Sequence, residues 1–201
     1  MRRSFRIPNL GGATALILHR PHPTVTSIAR QLAAIDITAR ECWPDLPPDG
    51  IAADFIFFDA DLGHDEQFPW KPGEAQMPMI ALIGSEAPGR IEWALHQNAD
   101  AHLLKPVGNS GVYSALLIAR RTFDARRRQS AEIDELRSRV SARQTIVRAV
   151  TLLAQRGIDE EQAYAQLRQL AMTWQMSMED AAHHIVKWSR EGKAGERTDI
   201  A

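Results

Sequence analysis

The sequence predicts an α/β domain built on a doubly wound, five-stranded parallel sheet, followed by a long coiled-coil helix and a small all-α domain of three helices. Short apolar runs alternate with segments of helical spacing in the first half of the chain, which is typical of a parallel sheet covered by helices. From Ser110 to about Arg156 there is no proline and the only glycine is Gly111, which predicts one long helix. We therefore expect an α/β domain at 1–115, a linker helix at 116–145, a helical domain at 146–190 and a disordered tail at 191–201.

Five short runs predict the strands of the sheet. Four of them are mainly apolar, and each is bounded by polar residues or by proline; the run at 37–42 is a weaker candidate. The predicted strands lie at 14–18, 37–42, 55–58, 79–83 and 101–104, with helices at 24–35 and 91–97. Residues 62–78 contain two glycines and three prolines and are predicted to be mainly loop.

The overall composition is that of a soluble globular protein, with 44% hydrophobic and 24% charged residues. No apolar run approaches the roughly 18 residues that a bilayer span requires, and no signal-type apolar core follows the basic N-terminus. Cys42 is the only cysteine, which excludes an intrachain disulfide and indicates a reducing compartment. We expect a cytoplasmic protein without membrane association.

No sequence motif predicts catalysis or a cofactor. A glycine-rich phosphate loop, a nucleophile elbow and a zinc motif are all missing, so we predict neither enzyme activity nor a bound cofactor or metal. Asp59, Asp61, His64, Asp65 and Glu66 form an acidic cluster with a histidine. We interpret this cluster as a solvated loop, with a metal site as the alternative.

Charge is unevenly distributed along the chain. Residues 120–148 carry nine arginines and four acidic residues, a net charge of +5, whereas residues 1–119 carry −4 and residues 149–201 carry −2. A basic segment between two acidic ones indicates a surface for a polyanion. The alternative is a solvated, charge-rich helix.

The basic segment also carries an apolar seam. Its members recur at spacings of three and four residues, the heptad pattern of a coiled coil, with one arginine among them. They are Ile133, Leu136, Val140, Arg143, Val147 and Val150. The pattern predicts a homodimer, and the alternative is a single helix packed on its own domain.

Two helix starts are predicted beyond the seam. Gly157 ends a helix, and Asp159 is a candidate N-cap followed by acidic residues in the first turn. Ser177 is the next candidate N-cap, with Asp180 at the third helical position. Together with the end of the long helix, these segments predict a minimal three-helix bundle.

The order of strands and helices in the first half resembles a response-regulator receiver. Asp59 follows the third strand and Lys105-Pro106 follows the fifth, where receivers carry the phosphoacceptor aspartate and a lysine. The acidic pair expected after the first strand is replaced by His19 and Arg20. Because phosphoryl transfer needs Mg²⁺ on oxygen ligands, we expect Asp59 to be ion-paired to Lys105 or Arg20 and not phosphorylated. The alternative is that Asp59 is a working phosphoacceptor.

The second half resembles the ANTAR domain, a three-helix RNA-binding module. The ordered residues that carry the resemblance are Arg148, Ala149, Leu152, Leu153, Gly157, Glu160, Glu161, Ala163, Tyr164, Leu167, Arg168, Ala171, Met172 and Ala182. The whole chain is similar to regulators of the AmiR/NasT type, and the tripeptide at 42–44 is similar to one in the amidase-operon branch. The resemblance implies binding to leader RNA hairpins, transcription antitermination and control by a ligand-sensing regulatory protein.

Five side chains are the candidate RNA contacts. They are Arg143, Arg148, Arg156, Arg168 and Trp174, because arginine forks bind phosphate and exposed aromatic rings stack on bases. Tyr164 is expected in the bundle core instead. Val150 and Thr151 depart from the usual Lys and Gly of the family, which leaves open a protein-interaction scaffold without RNA binding.

Overall fold

The computed structural model describes residues 9–155 and 157–195. These residues divide into two compact units, which meet between Arg128 and Gln129 along the chain. The first unit contains five strands: β1 (Thr14–Leu18), β2 (Thr38–Cys42), β3 (Phe55–Asp59), β4 (Met79–Ile83) and β5 (Ala101–Leu104). The helices of the chain are α1 (Pro23–Ala33), α2 (Pro88–His96), α3 (Val112–Ala154), α4 (Glu160–Thr173) and α5 (Met178–Gly195). Short 3-10 turns lie at Pro48–Ala52 and Asp65–Gln67.

All strand pairs are parallel and the sheet order is β2-β1-β3-β4-β5. This confirms the predicted five-stranded parallel sheet. Leu18 is in register with Phe58, and Asp59 is in register with Leu82, so the carboxyl ends of β1, β3 and β4 lie along one edge. In such sheets functional side chains gather at this edge.

The two faces of the sheet are covered differently. α1 and the start of α3 cover one face, where Ile28, Leu32 and Leu116 are fully buried. α2 covers the other face together with the long segment between β3 and β4. That segment is mainly loop, as predicted, yet it contributes Phe68 and Met77 to the core. Apolar residues spaced within a loop can therefore cover this part of the sheet without a helix.

α3 is continuous from Val112 to Ala154, so the predicted linker at 116–145 has no break at either end. The absence of proline and of interior glycine accounts for its length. α5 continues to Gly195 and thus includes the first five residues of the range expected to be a disordered tail. Residues 196–201 lie outside the part of the chain that the structure describes. None of the described helices combines the length and apolar character needed to cross a bilayer.

Both predicted N-caps of the second unit are confirmed. The Asp159 carboxylate accepts a hydrogen bond from the backbone N–H of Gln162 at 2.7 Å. Ser177 Oγ accepts from the backbone N–H of Asp180 at 3.0 Å and donates to the Asp180 carboxylate at 2.7 Å. These caps satisfy helix N–H groups that would otherwise lack a partner.

Small residues dominate the core of the second unit. Its buried members are Ala149, Leu153, Ala163, Leu167, Ala171, Ala181, Ala182, Ile185 and Val186. The alanines allow α3, α4 and α5 to approach closely. The expectation that Tyr164 lies in this core is wrong, because its side chain is 50% exposed. Its position on α4 is next to buried Ala163 and therefore about 100° away from the core-facing stripe.

Candidate functional site

Charged side chains meet at the carboxyl edge of the sheet. Asp59 ends β3, His19 follows β1 and Lys105 follows β5. Lys105 Nζ lies 2.7 Å from Asp59 Oδ1 and 2.6 Å from Asp61 Oδ2. His19 Nε2 lies 3.4 Å from Asp59 Oδ2 and 3.3 Å from Lys105 Nζ. Asp59 and His19 are buried, whereas the side chains of Lys105 and Asp61 are 13% and 22% exposed.

A hydrogen bond at Nδ1 decides which nitrogen of the His19 ring carries the hydrogen. His19 Nδ1 lies 2.6 Å from the backbone carbonyl of Arg20, and a carbonyl can only accept, so Nδ1 carries the hydrogen. In the neutral ring Nε2 then accepts from Lys105. The imidazole therefore occupies the place of the expected acidic pair and supplies no oxygen ligand.

Asp61 links two loops at this edge. Its carboxylate accepts from the backbone N–H groups of Gly84 at 2.9 Å and Ser85 at 2.8 Å. Burial alone would raise the pKa of the Asp61 carboxyl, but hydrogen bonds from Lys105 and from these two N–H groups outweigh burial and lower that pKa below its usual value. Asp61 is thus a second ion-pair partner of Lys105. The sequence had placed Asp61 only in a solvated acidic loop.

The predicted ion pair of Asp59 is formed with Lys105. Within the described residues no ion pair joins Asp59 to Arg20, whose side chain is exposed. His64 lies 3.6 Å from Asp45 and 3.7 Å from Glu66 in an exposed position, and no group of three potential metal ligands occurs in the described ranges. Lys105 or a backbone N–H group lies within hydrogen-bonding distance of Asp59 Oδ1 and of both carboxylate oxygens of Asp61.

The apolar seam of α3 is exposed. Ile133, Leu136, Val140 and Val147 are 40%, 52%, 54% and 65% exposed, respectively. A shallow groove of about 360 Å³ runs along the first three of them and is also lined by Arg137, Ser141 and Gln144. Val150 differs, because it packs against the bundle core. The part of the seam from Ile133 to Val147 is therefore not buried among the described residues, whereas its last member is.

The candidate RNA contacts fall into two groups. Arg143 and Arg148 on α3 and Arg168 on α4 are exposed, and Arg156 lies outside the described residues. Trp174 is half-buried at the end of α4, where it packs against the bundle core.

Sequence reasoning missed the aromatic partners of Trp174. Its ring meets His184 at a centroid distance of 6.3 Å and Trp188 at 5.8 Å, both edge to face. The spacing of four residues between His184 and Trp188 on one helix was the available signal.

Comparison with known proteins assigns both halves of the chain. Residues 13–120 match the family model described as AmiR, N-terminal, and residues 134–186 match the ANTAR domain. A curated relative, the aliphatic amidase regulator of Pseudomonas aeruginosa, is 26% identical over 163 residues. The match covers 78% of this chain and 82% of that protein.

Solved structures similar to the first half of this chain include receiver domains. The signal receiver domain of a modulated diguanylate cyclase from Desulfovibrio desulfuricans is 15% identical with a TM-score of 0.46, covering 57% of this chain and 98% of that one. The chemotaxis protein CheY4 of Vibrio cholerae is 13% identical with a TM-score of 0.41, covering 53% and 98%. Because the N-terminal family match alone spans more than half of the chain and the ANTAR match covers the helices after it, the chain belongs to the AmiR family of ANTAR-domain regulators.

Proposed function

We propose that this protein is a cytoplasmic, homodimeric antitermination regulator that binds hairpins of a leader transcript and is controlled by a partner protein rather than by phosphorylation. The observation that carries the proposal is the coincidence of the ANTAR match at 134–186 with exposed arginines on α3 and α4. Arg143, Arg148 and Arg168 are free of the bundle core and can reach a polyanion. The +5 charge of residues 120–148 adds a long-range attraction to RNA.

The helical bundle suits unpaired RNA bases better than the deep groove of an A-form RNA duplex. A bundle of three short helices cannot read the deep groove of an A-form duplex, but it can contact backbone phosphates and the splayed bases of a loop. Arginine suits both tasks, because its planar fork binds phosphate with two hydrogen bonds and its flat face stacks on a base. Two copies of the bundle in a dimer would engage two hairpins.

Replacement of Arg148 or Arg168 by Ala is expected to weaken hairpin binding by about 1–3 kcal/mol each, the range for a good charged contact. Filter binding or fluorescence anisotropy on a two-hairpin leader RNA measures this change. Wild-type binding should also fall steeply with salt, since each phosphate contact releases counterions. Arg40→Ala, an exposed arginine of the first unit, is the matched control and should bind as wild type does.

Circular dichroism establishes first that the variants keep their helices, because the aliphatic stem of Arg168 can also brace the bundle. If both folded arginine variants bind hairpin RNA as tightly as wild type, these side chains are not the contact surface. If wild type shows no preference for hairpin RNA over duplex DNA at physiological salt, the antitermination proposal is wrong.

Control without phosphorylation is supported by the cluster around Asp59. The Asp59 carboxylate is buried and paired to Lys105, and His19 stands where an Mg²⁺ ligand would be required. A phosphoryl donor would have to displace the Lys105 ammonium and bind without a metal to neutralise its charge. A partner protein that binds an exposed surface of the chain would not need to displace Lys105 or to recruit Mg²⁺.

Incubation with acetyl phosphate and Mg²⁺ is therefore expected to leave the intact mass unchanged. Mass spectrometry of the whole protein reads this directly, and a receiver with a complete acidic pair is the positive control for the reagent. A stoichiometric gain of one phosphoryl group that Asp59→Asn abolishes would show that Asp59 is a working phosphoacceptor.

A protein-interaction scaffold without RNA binding is the second candidate, and two side chains favour it. Val150 packs against the bundle core, and Thr151 Oγ1 donates to the backbone carbonyl of Val147 at 3.0 Å. Neither supplies the basic contact usual at this place in the family. The hairpin experiment above decides between the two functions.

A further inference from the structure

An aromatic pocket lies on the second unit where the end of α4 meets α5. It encloses about 220 Å³ and is lined by Trp174, Met176, His184 and Trp188. The two indole planes meet at 75° with their centres 5.8 Å apart, so they form an open corner. A flat ring stacked on one indole would meet the other edge-on, the arrangement that aromatic pairs prefer.

One wall of the pocket is rigid and the other is exposed. Trp174 packs against the bundle core, and its backbone N–H donates to the Leu170 carbonyl at 2.9 Å. The backbone N–H of Met176 donates to the Ala171 carbonyl at 3.1 Å, which fixes the turn between the helices. Trp188 is 61% exposed. A large exposed apolar ring beside a preformed apolar wall indicates a binding site.

The size and charge of the pocket select the class of occupant. Its volume is below the roughly 300–1,000 Å³ of clefts for drug-sized ligands, which suits a single ring system. None of the four lining residues is acidic, and the exposed Lys187 precedes Trp188 on α5, about 100° around the helix and outside the lining. The exposed His184 adds a ring nitrogen that can hydrogen-bond the edge of a base. The indole faces can stack on a base, the His184 ring can hydrogen-bond its edge, and Lys187 can meet the attached phosphate. Together they fit a nucleobase carried on a phosphate backbone.

We infer that this pocket binds one unpaired nucleobase of the RNA, stacked on Trp174 or Trp188, an inference that rests on the proposed RNA-binding function. It assigns a task to His184 and Trp188 that is distinct from that of the arginines. The proposed phosphate contacts of Arg148 and Arg168 do not depend on the base, whereas the pocket requires a base at one position of a loop. Stacking of a base on an aromatic side chain accounts for about a tenfold gain in affinity.

The test uses full-length protein and a hairpin RNA selected with wild type from a pool with randomised loops. Abasic substitution is then made at each loop position in turn. One position is expected to weaken wild-type binding about tenfold. The Trp188→Leu substitution should weaken binding to the intact hairpin by a similar factor. The abasic hairpin should bind this variant as tightly as it binds wild type, because the abasic change and the Trp188 substitution remove the same interaction.

Two further variants separate stacking from general apolar contact. Trp188→Phe retains a flat aromatic face and should keep most of the affinity, whereas Trp188→Leu keeps only apolar area. Leu95→Ala alters an exposed apolar side chain on α2 of the first unit, away from the ANTAR match, and should leave binding unchanged. Because Trp188 is exposed, these replacements are not expected to unfold the bundle.

The outcomes distinguish this inference from the function on which it rests. If Trp188→Leu binds the intact hairpin like wild type while Arg148→Ala weakens it, the base pocket is wrong and an apolar side chain of a partner protein becomes the favoured occupant. If no hairpin binds in preference to duplex DNA, both the proposed function and the base pocket fail. Loss of binding in Trp188→Leu without any abasic-sensitive position also contradicts the inference.

Discussion

Leu136→Asp combined with Val140→Asp is expected to abolish the proposed homodimer and leave a monomer. Both side chains are more than half exposed in the single chain and belong to the heptad seam of α3. In a coiled-coil dimer each aspartate would face a like charge across a dry interface. Desolvation of an ion costs several kcal/mol, and each 1.4 kcal/mol is tenfold in affinity, so the dissociation constant should rise by about a thousandfold or more.

Light scattering at micromolar concentration measures this change. Ala131→Asp with Ser138→Asp is the matched control, because it adds the same charge to the same helix on the face opposite the seam. That variant should remain dimeric. A wild-type protein that is monomeric at this concentration and still binds paired hairpins would show that the proposed dimer is not required.

Lys105→Met is expected to destabilise the first unit by about 3–5 kcal/mol, the usual consequence of removing one partner of a buried ion pair. Asp59 is 1% exposed and would keep only the backbone N–H of Asp61, at 3.0 Å, and the His19 ring beside its carboxylate. Asp61 would lose the same ammonium but retains its two backbone N–H donors. Hydrogen exchange of peptides covering β3 and β4, followed by mass spectrometry, reports the loss in this unit specifically.

Two control variants test whether the effect of Lys105→Met comes from leaving the buried Asp59 carboxylate without its cation. Arg40→Met breaks an exposed ion pair with Asp49 and should change protection far less. The double variant Asp59→Asn with Lys105→Met should recover part of the stability, because the buried carboxylate is then neutral. Equal protection in Lys105→Met and Arg40→Met would contradict the view that Lys105 neutralises a buried charge.

The fold class could be predicted from local sequence because its signals are short-range. Four apolar runs end at polar residues or prolines, and such runs form strands wherever helices can cover both faces. Asp159 and Ser177 are N-caps because each needs only a donor two or three residues ahead. The placement of Asp59 and Lys105 at one sheet edge also followed from sequence, since parallel strands point their carboxyl ends the same way.

Only the tertiary structure decided which side chains complete each site. Asp61 joins Lys105 because the loop after β4 brings the N–H groups of Gly84 and Ser85 to it. Helical spacing alone puts His184 and Trp188 on one face of α5, but their meeting with Trp174 depends on the packing of α4 against α5. Heptad spacing likewise marks a seam on α3, whereas its exposure depends on which surfaces the rest of the chain covers. Periodicity specifies the direction of a side chain on its own element, and only packing specifies what that side chain meets.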